Sequence, residues 1–273
     1  MIKSYVWKPD KQKRLHDFDP ADTGTFKSKH EVQEQIEKLK EELDELQNKL
    51  FAQKQYSVLI VFQGMDCSGK DGTIRKVLGV LNPQGFKVVS FKRPTEDEAA
   101  HDFLWRTHRE TPARGYITAF NRSYYEDVLI TRVHGQVDKK EAKRRFASIR
   151  HFEELMADHD TVVLKIFLHI SKEFQLNKIR QRLDDPAKAW KFDPTDLAER
   201  EYWDEYQRAY EDVFEHCSDK QAPWHIVPSD HRWYRDYLVL NIIVEALRKL
   251  PLAYPKLTAH SESKVEVEDP VQE

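Results

Sequence analysis

A short segment near the first quarter of the chain has the residue types that phosphate-binding chemistry needs. The apolar residues 57–62 lead into Gly64, four further residues, and then Gly69 and Lys70. This is the G-x-x-x-x-G-K part of a phosphate-binding loop, and it stands between a predicted strand and a predicted helix. Glycines permit the turn that brings N–H groups to phosphate oxygens, while the helix N-terminus and the lysine add positive charge. We therefore predict that residues 64–70 bind a phosphate chain; the alternative is an ordinary turn with a surface lysine.

Two acidic residues distinguish this loop from the usual motif. Asp71 occupies the position where Ser or Thr normally follows the lysine, and Asp66 lies inside the loop. A carboxylate among phosphates is repulsive unless a divalent cation lies between them or the carboxyl group handles a proton. Asp66 is therefore predicted to bind a metal ion or to activate the attacking oxygen. The structural alternative is an Asx-type contact with its own backbone.

The rest of the chain alternates predicted strands with predicted helices, which favours a parallel sheet. The strands are expected at residues 57–62, 86–91, 115–120, 161–170 and 224–227, and the helices at residues 31–50, 73–81, 96–109, 139–158 and 237–250. These elements predict an α/β, P-loop kinase-like fold with a parallel five-stranded sheet and helices on both faces. We expect one domain over residues 28–255, preceded by an irregular arm at 1–27 and followed by a disordered acidic tail at 256–273.

Polar residues follow three of the predicted strands, and the carboxyl ends of parallel strands form the usual binding edge of such sheets. The first strand leads into the phosphate loop, and the second is followed by Arg93. The third is followed by Asn121, Arg122, Glu126 and Asp127. We predict that these groups converge at one site.

The first long helix has an apolar stripe whose use the sequence leaves open. Val32, Ile36, Leu39, Leu43, Leu46 and Leu50 recur at alternating steps of four and three residues, after a Ser28–Glu31 pair that has the form of a capping box. Such a stripe packs on its own domain or pairs with another subunit. A homo-oligomer, either a dimer or a tetramer, is the expectation.

Composition limits the classes of protein to consider. The 273 residues have a formal net charge of -3 and two cysteines, and they contain no apolar stretch long enough to span a membrane. Unpaired cysteines suit a reducing cytoplasm, so we expect a cytoplasmic protein without a membrane partner. Basic residues cluster at 139–150 and 172–191, but the acidic net charge and the lack of a recognised motif argue against nucleic acid.

The second basic cluster follows the fourth predicted strand, where kinases of this architecture place a lid. Lys178 and Arg182 are four residues apart, so a helix would present them on one face. We predict a helical lid at about residues 172–200 that meets the phosphates; the alternative is a solvated helix. Trp105, Tyr124 and Tyr125 are candidates for stacking on a nucleobase, with core packing as the alternative.

Taken together, these motifs resemble the polyphosphate kinase 2 family, with closer similarity to its class III enzymes. The resemblance extends over about residues 10–255 and rests on four segments: GMDCSGKDG (64–72), FKRP (91–94), FNRSYYEDVL (120–129) and KIRQRLDDPAKAWKF (178–192). It implies transfer of phosphoryl groups from inorganic polyphosphate to nucleoside mono- and diphosphates, in line and without a covalent intermediate. It also implies Mg²⁺ as the cofactor, which Mn²⁺ could replace. Asn121 replaces the Asp of the common F-D-R-S pattern.

The resemblance also implies roles for individual residues. The catalytic positions are Asp66, Lys70, Arg122 and Arg182. The substrate-binding positions are Gly64, Gly69, Gly72, Arg93, Asn121, Glu126 and Lys178. Asp66 and Asp127 are the expected metal ligands. Asn121 and Glu126 are expected to line the acceptor side and to influence the choice between mono- and diphosphates.

Two other functions fit the same residues. An ATP-dependent nucleoside monophosphate kinase would use this loop with ATP as the donor, and a phosphate-sensing scaffold would bind without turnover. A GTP-driven switch is disfavoured because the sequence contains no N-K-x-D motif.

Overall fold

A five-stranded, all-parallel sheet forms the centre of the protein. The computed structural model describes residues 5–9, 13–186 and 195–256. The strands are β1 (Ser57–Gln63), β2 (Phe86–Ser90), β3 (Ile117–Asn121), β4 (Thr161–His169) and β5 (Trp224–Pro228), in the order β2-β3-β1-β4-β5. The predicted number, order of appearance and parallel arrangement of the strands are confirmed. The bounds differ by at most two residues.

The central position of β1 explains where the site forms. Every residue of β1 is buried, and the strand pairs with β3 on one side and β4 on the other. The chain leaves β1 toward the β2 edge and later crosses to β4 on the opposite side. This change of direction opens a crevice beyond the carboxyl end of β1, which is where ligands bind in open α/β sheets.

The helices that connect these strands follow the sequence expectations in part. They are α1 (His30–Gln53), α2 (Lys70–Val77), α3 (Glu96–Ala99), α4 (Trp105–His108), α5 (Ile130–Val133), α6 (Lys139–Asp158), α7 (Lys172–Asp184), α8 (Thr195–Glu199), α9 (Trp203–His216) and α10 (Arg232–Arg248). The predicted α6 is confirmed at both ends. Helix α9 has no counterpart among the predicted elements, although Trp203, Tyr210 and Phe214 recur on one buried face.

The single helix expected at residues 96–109 is wrong, because the segment forms two short helices. Asp102 lies between them, and its carboxylate accepts a hydrogen bond from the backbone N–H of Leu104 at 3.0 Å. Its backbone carbonyl accepts another from Trp105. A side chain that accepts a backbone hydrogen bond two residues further on favours a new helix start over continuation of the old helix. The expected capping box is also different: Ser28 Oγ contacts the Glu31 carboxylate, and no side chain caps the N-terminus of α1.

The apolar stripe of α1 packs within its own chain. Val32, Leu43 and Leu50 are fully buried, and α1 lies against α10 through the Tyr237–Gln35 hydrogen bond at 2.7 Å and the Arg248–Glu42 ion pair at 2.6 Å. These three side chains are therefore covered within the chain, whereas Ile36 and Leu46 of the same stripe are half-buried.

The described part of the N-terminal arm packs on the body. Val6 forms an antiparallel bridge with His225 of β5, and Trp7 is buried against Phe18 and Phe214. The expected tail falls outside the described residues from 257 onward, as do lid residues 187–194, which include Lys188 and Lys191. Among the helices of the described ranges, none has the length and apolar character needed to cross a membrane.

Candidate active site

The phosphate loop joins β1 to α2, and two of its glycines occupy conformations that other residues avoid. Gly64 has φ 151° and Gly69 has φ 93°. A Cβ atom on Gly64 would lie 2.7 Å from Ser68 Oγ and 2.8 Å from the Leu168 carbonyl oxygen, while one on Gly69 would collide with the Arg235 guanidinium. Both positions therefore require glycine for steric reasons. Gly72 faces open space, so no steric need explains it.

Lys70 is the first residue of α2 and is almost completely buried beneath the loop. Its Nζ donates hydrogen bonds to the Gly64 carbonyl at 2.7 Å and the Met65 carbonyl at 3.3 Å. Burial lowers the pKa of Lys70, and the charge of Arg122 lowers it further, while the carboxylates of the site oppose the change. An ammonium group has three donors, so two carbonyl partners leave one proton for a phosphate oxygen.

Asp66 and Arg122 form the contact that connects the phosphate loop to the end of β3. The Arg122 guanidinium donates to Asp66 Oδ1 at 2.7 Å, and the Arg122 backbone N–H donates to the Phe62 carbonyl at 3.0 Å. The carboxylates of Glu126 and Asp66 raise the pKa of Arg122, which holds its charge. The structure therefore brings Asp66, Lys70 and Arg122 together.

The two other polar residues after β3 are held by neighbours on β1 and α2. Asn121 Nδ2 donates to the Asp71 carboxylate. Glu126 accepts a hydrogen bond from Gln63 Nε2 at 3.1 Å. These contacts fix both side chains beside Arg122, on opposite sides of the Asp66–Arg122 pair.

A large cavity of about 730 Å³ lies on one side of this pair. Most of its charged lining is basic, and it includes the predicted residues Arg93, Lys178 and Arg182 as well as Gly69 and Gly72. The basic residues are Lys70, Lys92, Arg93, Arg122, Lys178, Arg182 and Arg232, against the acids Asp66 and Asp71. Lys92 and Arg232 were not among the predicted site residues. An excess of cations in a concave site favours a polyanion.

A second cavity of about 260 Å³ lies on the other side and shares Asp66 and Arg122 with the first. The chemistry of its lining is different, because it combines the carboxylates of Glu126 and Glu199 with the aromatic side chains of Tyr206 and Tyr210. The Tyr206 hydroxyl donates to Glu199 Oε2 at 2.7 Å. Sequence reasoning missed both tyrosines because it did not recognise α9, whose periodicity would have indicated them.

Gln175, a residue that the sequence analysis did not select, connects α7 to the phosphate loop. The side chain is buried, its Nε2 donates to the Asp66 backbone carbonyl at 3.1 Å, and its Oε1 accepts from Arg200 Nη1 at 3.0 Å. Arg200 also donates to the Lys172 carbonyl at 2.6 Å. The first turn of α7 is thus held against the backbone of Asp66.

Asp127 lies apart from these groups, which does not suit the predicted metal-ligand role. Its carboxylate is 3.7 Å from Arg106 Nη2 and is not part of the lining of either cavity. Burial raises the pKa of Asp127 to about 6, against the opposing charges of Arg106 and Arg145. The position after β3 placed it near the site in sequence, but the turn of residues 124–128 directs it toward Arg106.

The aromatic residues that were predicted to stack on a nucleobase do not line either cavity. Tyr124 and Tyr125 are fully buried, and Trp105 lies between His101 and Arg109. Core packing and surface contacts therefore account for these three aromatic residues.

The acidic residues at the large cavity limit how a metal could be held. Within the described ranges, no group of three or more His, Cys, Asp or Glu side chains is arranged to enclose an ion. Mg²⁺ is commonly bound through one or two carboxylates together with substrate phosphates. Asp66 beside the phosphate loop fits that mode, whereas Asp127 does not.

The strand order and the loop after the central strand define a P-loop kinase-like protein. The profile of the family described as Polyphosphate kinase 2 (PPK2) matches residues 26–253. The chain therefore belongs to the polyphosphate kinase 2 family, as the sequence motifs indicated.

Similar proteins cover nearly the whole chain. An AMP/ADP-polyphosphate phosphotransferase from Meiothermus ruber is 45% identical over 97% of this chain and 99% of its own length. An ADP-polyphosphate phosphotransferase from Rhodopseudomonas palustris is 41% identical over 91% of this chain and 93% of its own. The crystal structure of polyphosphate kinase 2 from Arthrobacter aurescens superposes with a TM-score of 0.90 at 39% identity, covering 94% of this chain and 93% of that one.

Proposed function

We propose that this protein transfers phosphoryl groups from inorganic polyphosphate to nucleoside mono- and diphosphates, converting AMP to ADP and ADP to ATP. The names of the two relatives described above support both acceptors. The observation that supports the proposal most directly is the pair of unlike cavities that meet at Asp66 and Arg122. Two substrates that react with each other need two sites with a shared boundary.

The large basic cavity is the proposed site for polyphosphate. A chain with negative charge on every phosphate would lie between Arg93 on the β2 side and Lys178 and Arg182 on α7. Its reacting end would approach the loop amides and Lys70, which neutralise the charge that shifts during transfer. Gly64 and Gly69 keep the loop backbone in the shape that exposes those amides.

The acceptor phosphate is proposed to bind at the boundary itself. Arg122 would neutralise its charge, and Asp66 would orient the attacking oxygen in line with the bond that breaks. Asn121 and Glu126 flank this position, so they are the proposed determinants of mono- against diphosphate use. The small cavity, with Tyr206 and Tyr210, is the proposed place for part of the nucleoside.

Mg²⁺ is the proposed cofactor, held by Asp66 together with phosphate oxygens, and Mn²⁺ could replace it. When bound, such an ion would offset the negative charge of the phosphates during transfer. We also propose a cytoplasmic location, which Cys67 and Cys217 support because neither forms a disulfide. We further propose a homo-oligomer.

Product analysis tests the proposed reaction. The purified protein is incubated with Mg²⁺ and AMP or ADP, with and without polyphosphate, and the nucleotides are separated by chromatography. We expect ADP from AMP, and ATP from ADP, in the polyphosphate samples without added ATP. Formation of ADP from AMP only when ATP is supplied would identify an ATP-dependent monophosphate kinase instead. Binding without any turnover would favour the phosphate-sensing scaffold.

A further inference from the structure

Arg122 has a backbone conformation that is unusual for a residue with a side chain. Its φ angle is 62°, in the left-handed region, where the Cβ atom crowds the backbone. A strained residue at a functional position persists only when its surroundings hold it there. The same residue contacts Asp66 at 2.7 Å, so its backbone conformation determines where the guanidinium points.

The chain on both sides of Arg122 is held by specific contacts. On the preceding side, the Arg122 N–H donates to the Phe62 carbonyl of β1. On the following side, Ser123 Oγ accepts a hydrogen bond from the Tyr125 N–H at 3.2 Å. The hydroxyl groups of Tyr124 and Tyr125 then both donate to Glu153 Oε1, each at 2.7 Å.

Glu153 is itself fixed in the interior of the protein. It lies on α6 with its side chain 3% exposed, and its other oxygen, Oε2, accepts from Lys165 Nζ at 2.6 Å. Lys165 belongs to β4, the strand next to β1 in the sheet, is fully buried, and also donates to the Cys217 carbonyl. The two tyrosine hydroxyls are therefore anchored through one carboxylate to the central sheet.

Dense packing of the interior does not by itself require these buried polar groups. A buried ion pair is often no more stabilising than apolar residues of the same volume, whereas it fixes geometry through directed bonds. Burial, together with the charge of Glu153, raises the pKa of Tyr124 and of Tyr125 well above the usual range, so both hydroxyls keep the protons that they donate.

We propose that Glu153 and the hydroxyls of Tyr124 and Tyr125 are positioning groups that keep Arg122 in its left-handed conformation and aim it at Asp66. None of the three groups lines either cavity of the site. They act through Arg122 on the acceptor phosphate, so the kinetic part of this proposal rests on the proposed transfer reaction. The conformational part stands independently of it.

Removal of the hydroxyls is the sharpest test, because Glu153 substitutions would leave Lys165 as an unpaired buried charge. Tyr124→Phe, Tyr125→Phe and the double variant keep both rings and delete only the hydrogen bonds. Tyr237→Phe is the matched control, since Tyr237 is also buried and its hydroxyl donates to Gln35 at 2.7 Å, in the contact between α1 and α10. We expect the double variant to lower kcat about tenfold with KM for polyphosphate within about twofold, and the control to change neither.

Two further measurements separate positioning from general loss of structure. In an Arg122→Ala background, the same Tyr→Phe changes should have almost no additional effect on kcat, because the residue on which they act is gone. An equal fold-loss in both backgrounds would overturn the proposal. If the double variant does not fold, the two single variants provide the same comparison.

A crystal structure of the double variant, or of a single variant, tests the conformational part without any activity measurement. We expect Arg122 to leave the left-handed region or its guanidinium to lose contact with Asp66. An unchanged φ and an unchanged 2.7 Å contact would overturn the inference even if the enzyme proves active. Absence of transfer by the unmodified protein would instead count against the proposed function, while this structural comparison would still decide the inference.

Discussion

The two cavities beside Asp66 and Arg122 differ in the chemistry of their walls. The large one is lined mainly by Lys and Arg side chains from the phosphate loop, the β2 side and α7. The small one combines carboxylates with Tyr206 and Tyr210 of α9. A polyphosphate chain offers only charge to recognise, whereas a nucleoside offers rings and hydroxyls. The difference therefore indicates which substrate each cavity suits, and it can be tested one side at a time.

The largest expected effect comes from Lys70, because its proposed partner is the phosphoryl group that passes between the two substrates. Lys70→Ala removes a preorganised positive donor, so kcat should fall roughly 10²–10³-fold with both AMP and ADP. Steady-state kinetics measures this, and circular dichroism checks that the fold persists. Lys76→Ala is the control, because Lys76 lies on the same helix with a largely exposed side chain. Equal activity of the Lys70 variant and the unmodified protein would refute the site.

Arg182→Ala should affect the large cavity alone. Loss of one charged contact with phosphate should raise KM for polyphosphate about tenfold, which corresponds to about 1.4 kcal/mol. KM for the nucleotide should stay within about twofold. Arg180→Ala is the matched control, since Arg180 lies on the same helix, is exposed, and lines neither cavity. A change in KM for the nucleotide instead would reverse the assignment of the two cavities.

Tyr206→Phe should affect the small cavity alone. The substitution keeps the ring and removes the hydroxyl that donates to Glu199 at 2.7 Å. We expect KM for the nucleotide to rise roughly three- to fivefold, in line with loss of a net hydrogen-bond contribution near 1 kcal/mol. KM for polyphosphate should not change. Tyr202→Phe, at an exposed position one turn earlier, should leave both values unchanged; if it acts like Tyr206→Phe, the cavity is not the cause.

The smallest effect on kinetics is expected at a buried histidine outside both cavities. His169 ends β4, its Nε2 contacts the Phe18 carbonyl at 3.0 Å, and burial lowers its pKa to about 4. Below pH 6.5 His169 binds a proton in the unfolded chain but stays neutral in the folded protein. The free energy of unfolding therefore decreases as the pH decreases. Between pH 7 and pH 5 this group should cost about 2 kcal/mol.

His169→Gln isolates that contribution, because glutamine keeps an amide that can donate to the same carbonyl. Urea unfolding at pH 7 and pH 5 should give a loss of stability about 2 kcal/mol smaller in the variant than in the unmodified protein. An equal loss in both proteins would assign the acid sensitivity to other groups. At pH 7 the variant should keep the KM values for polyphosphate and for the nucleotide. It then serves as a control that substitutions outside the two cavities do not change substrate binding.

Local motifs were sufficient for much of the site. Gly64, Gly69 and Lys70 were recognisable because a phosphate loop is a contiguous segment with a fixed spacing. The polar residues after β3 were predicted to lie near this loop from the position of the strand alone, and the Arg122 guanidinium does contact the Asp66 carboxylate. Asp127 was selected by the same reasoning, but its carboxylate faces Arg106 and not the cavities, because the turn of the backbone decides which of two adjacent carboxylates faces the crevice.

Residues from separate segments were harder to find. Gln175 and Tyr206 contribute through helices whose packing places them near Asp66, and neither belongs to a short motif. The apolar stripe of α1 illustrates the same limit, since its spacing fits two partners and only the packing against α10 shows that part of the stripe is covered within the chain.

The amino-acid sequence by itself determined the strand and helix alternation, the parallel sheet and the phosphate loop, because hydrophobic period and glycine spacing act over a few residues. The tertiary structure decided that two chemically different cavities share Asp66 and Arg122, that Arg122 has a left-handed backbone conformation, and that Glu153 binds the hydroxyls of Tyr124 and Tyr125. Those features depend on contacts between segments distant in the chain, and such contacts form only when the sheet brings the segments together.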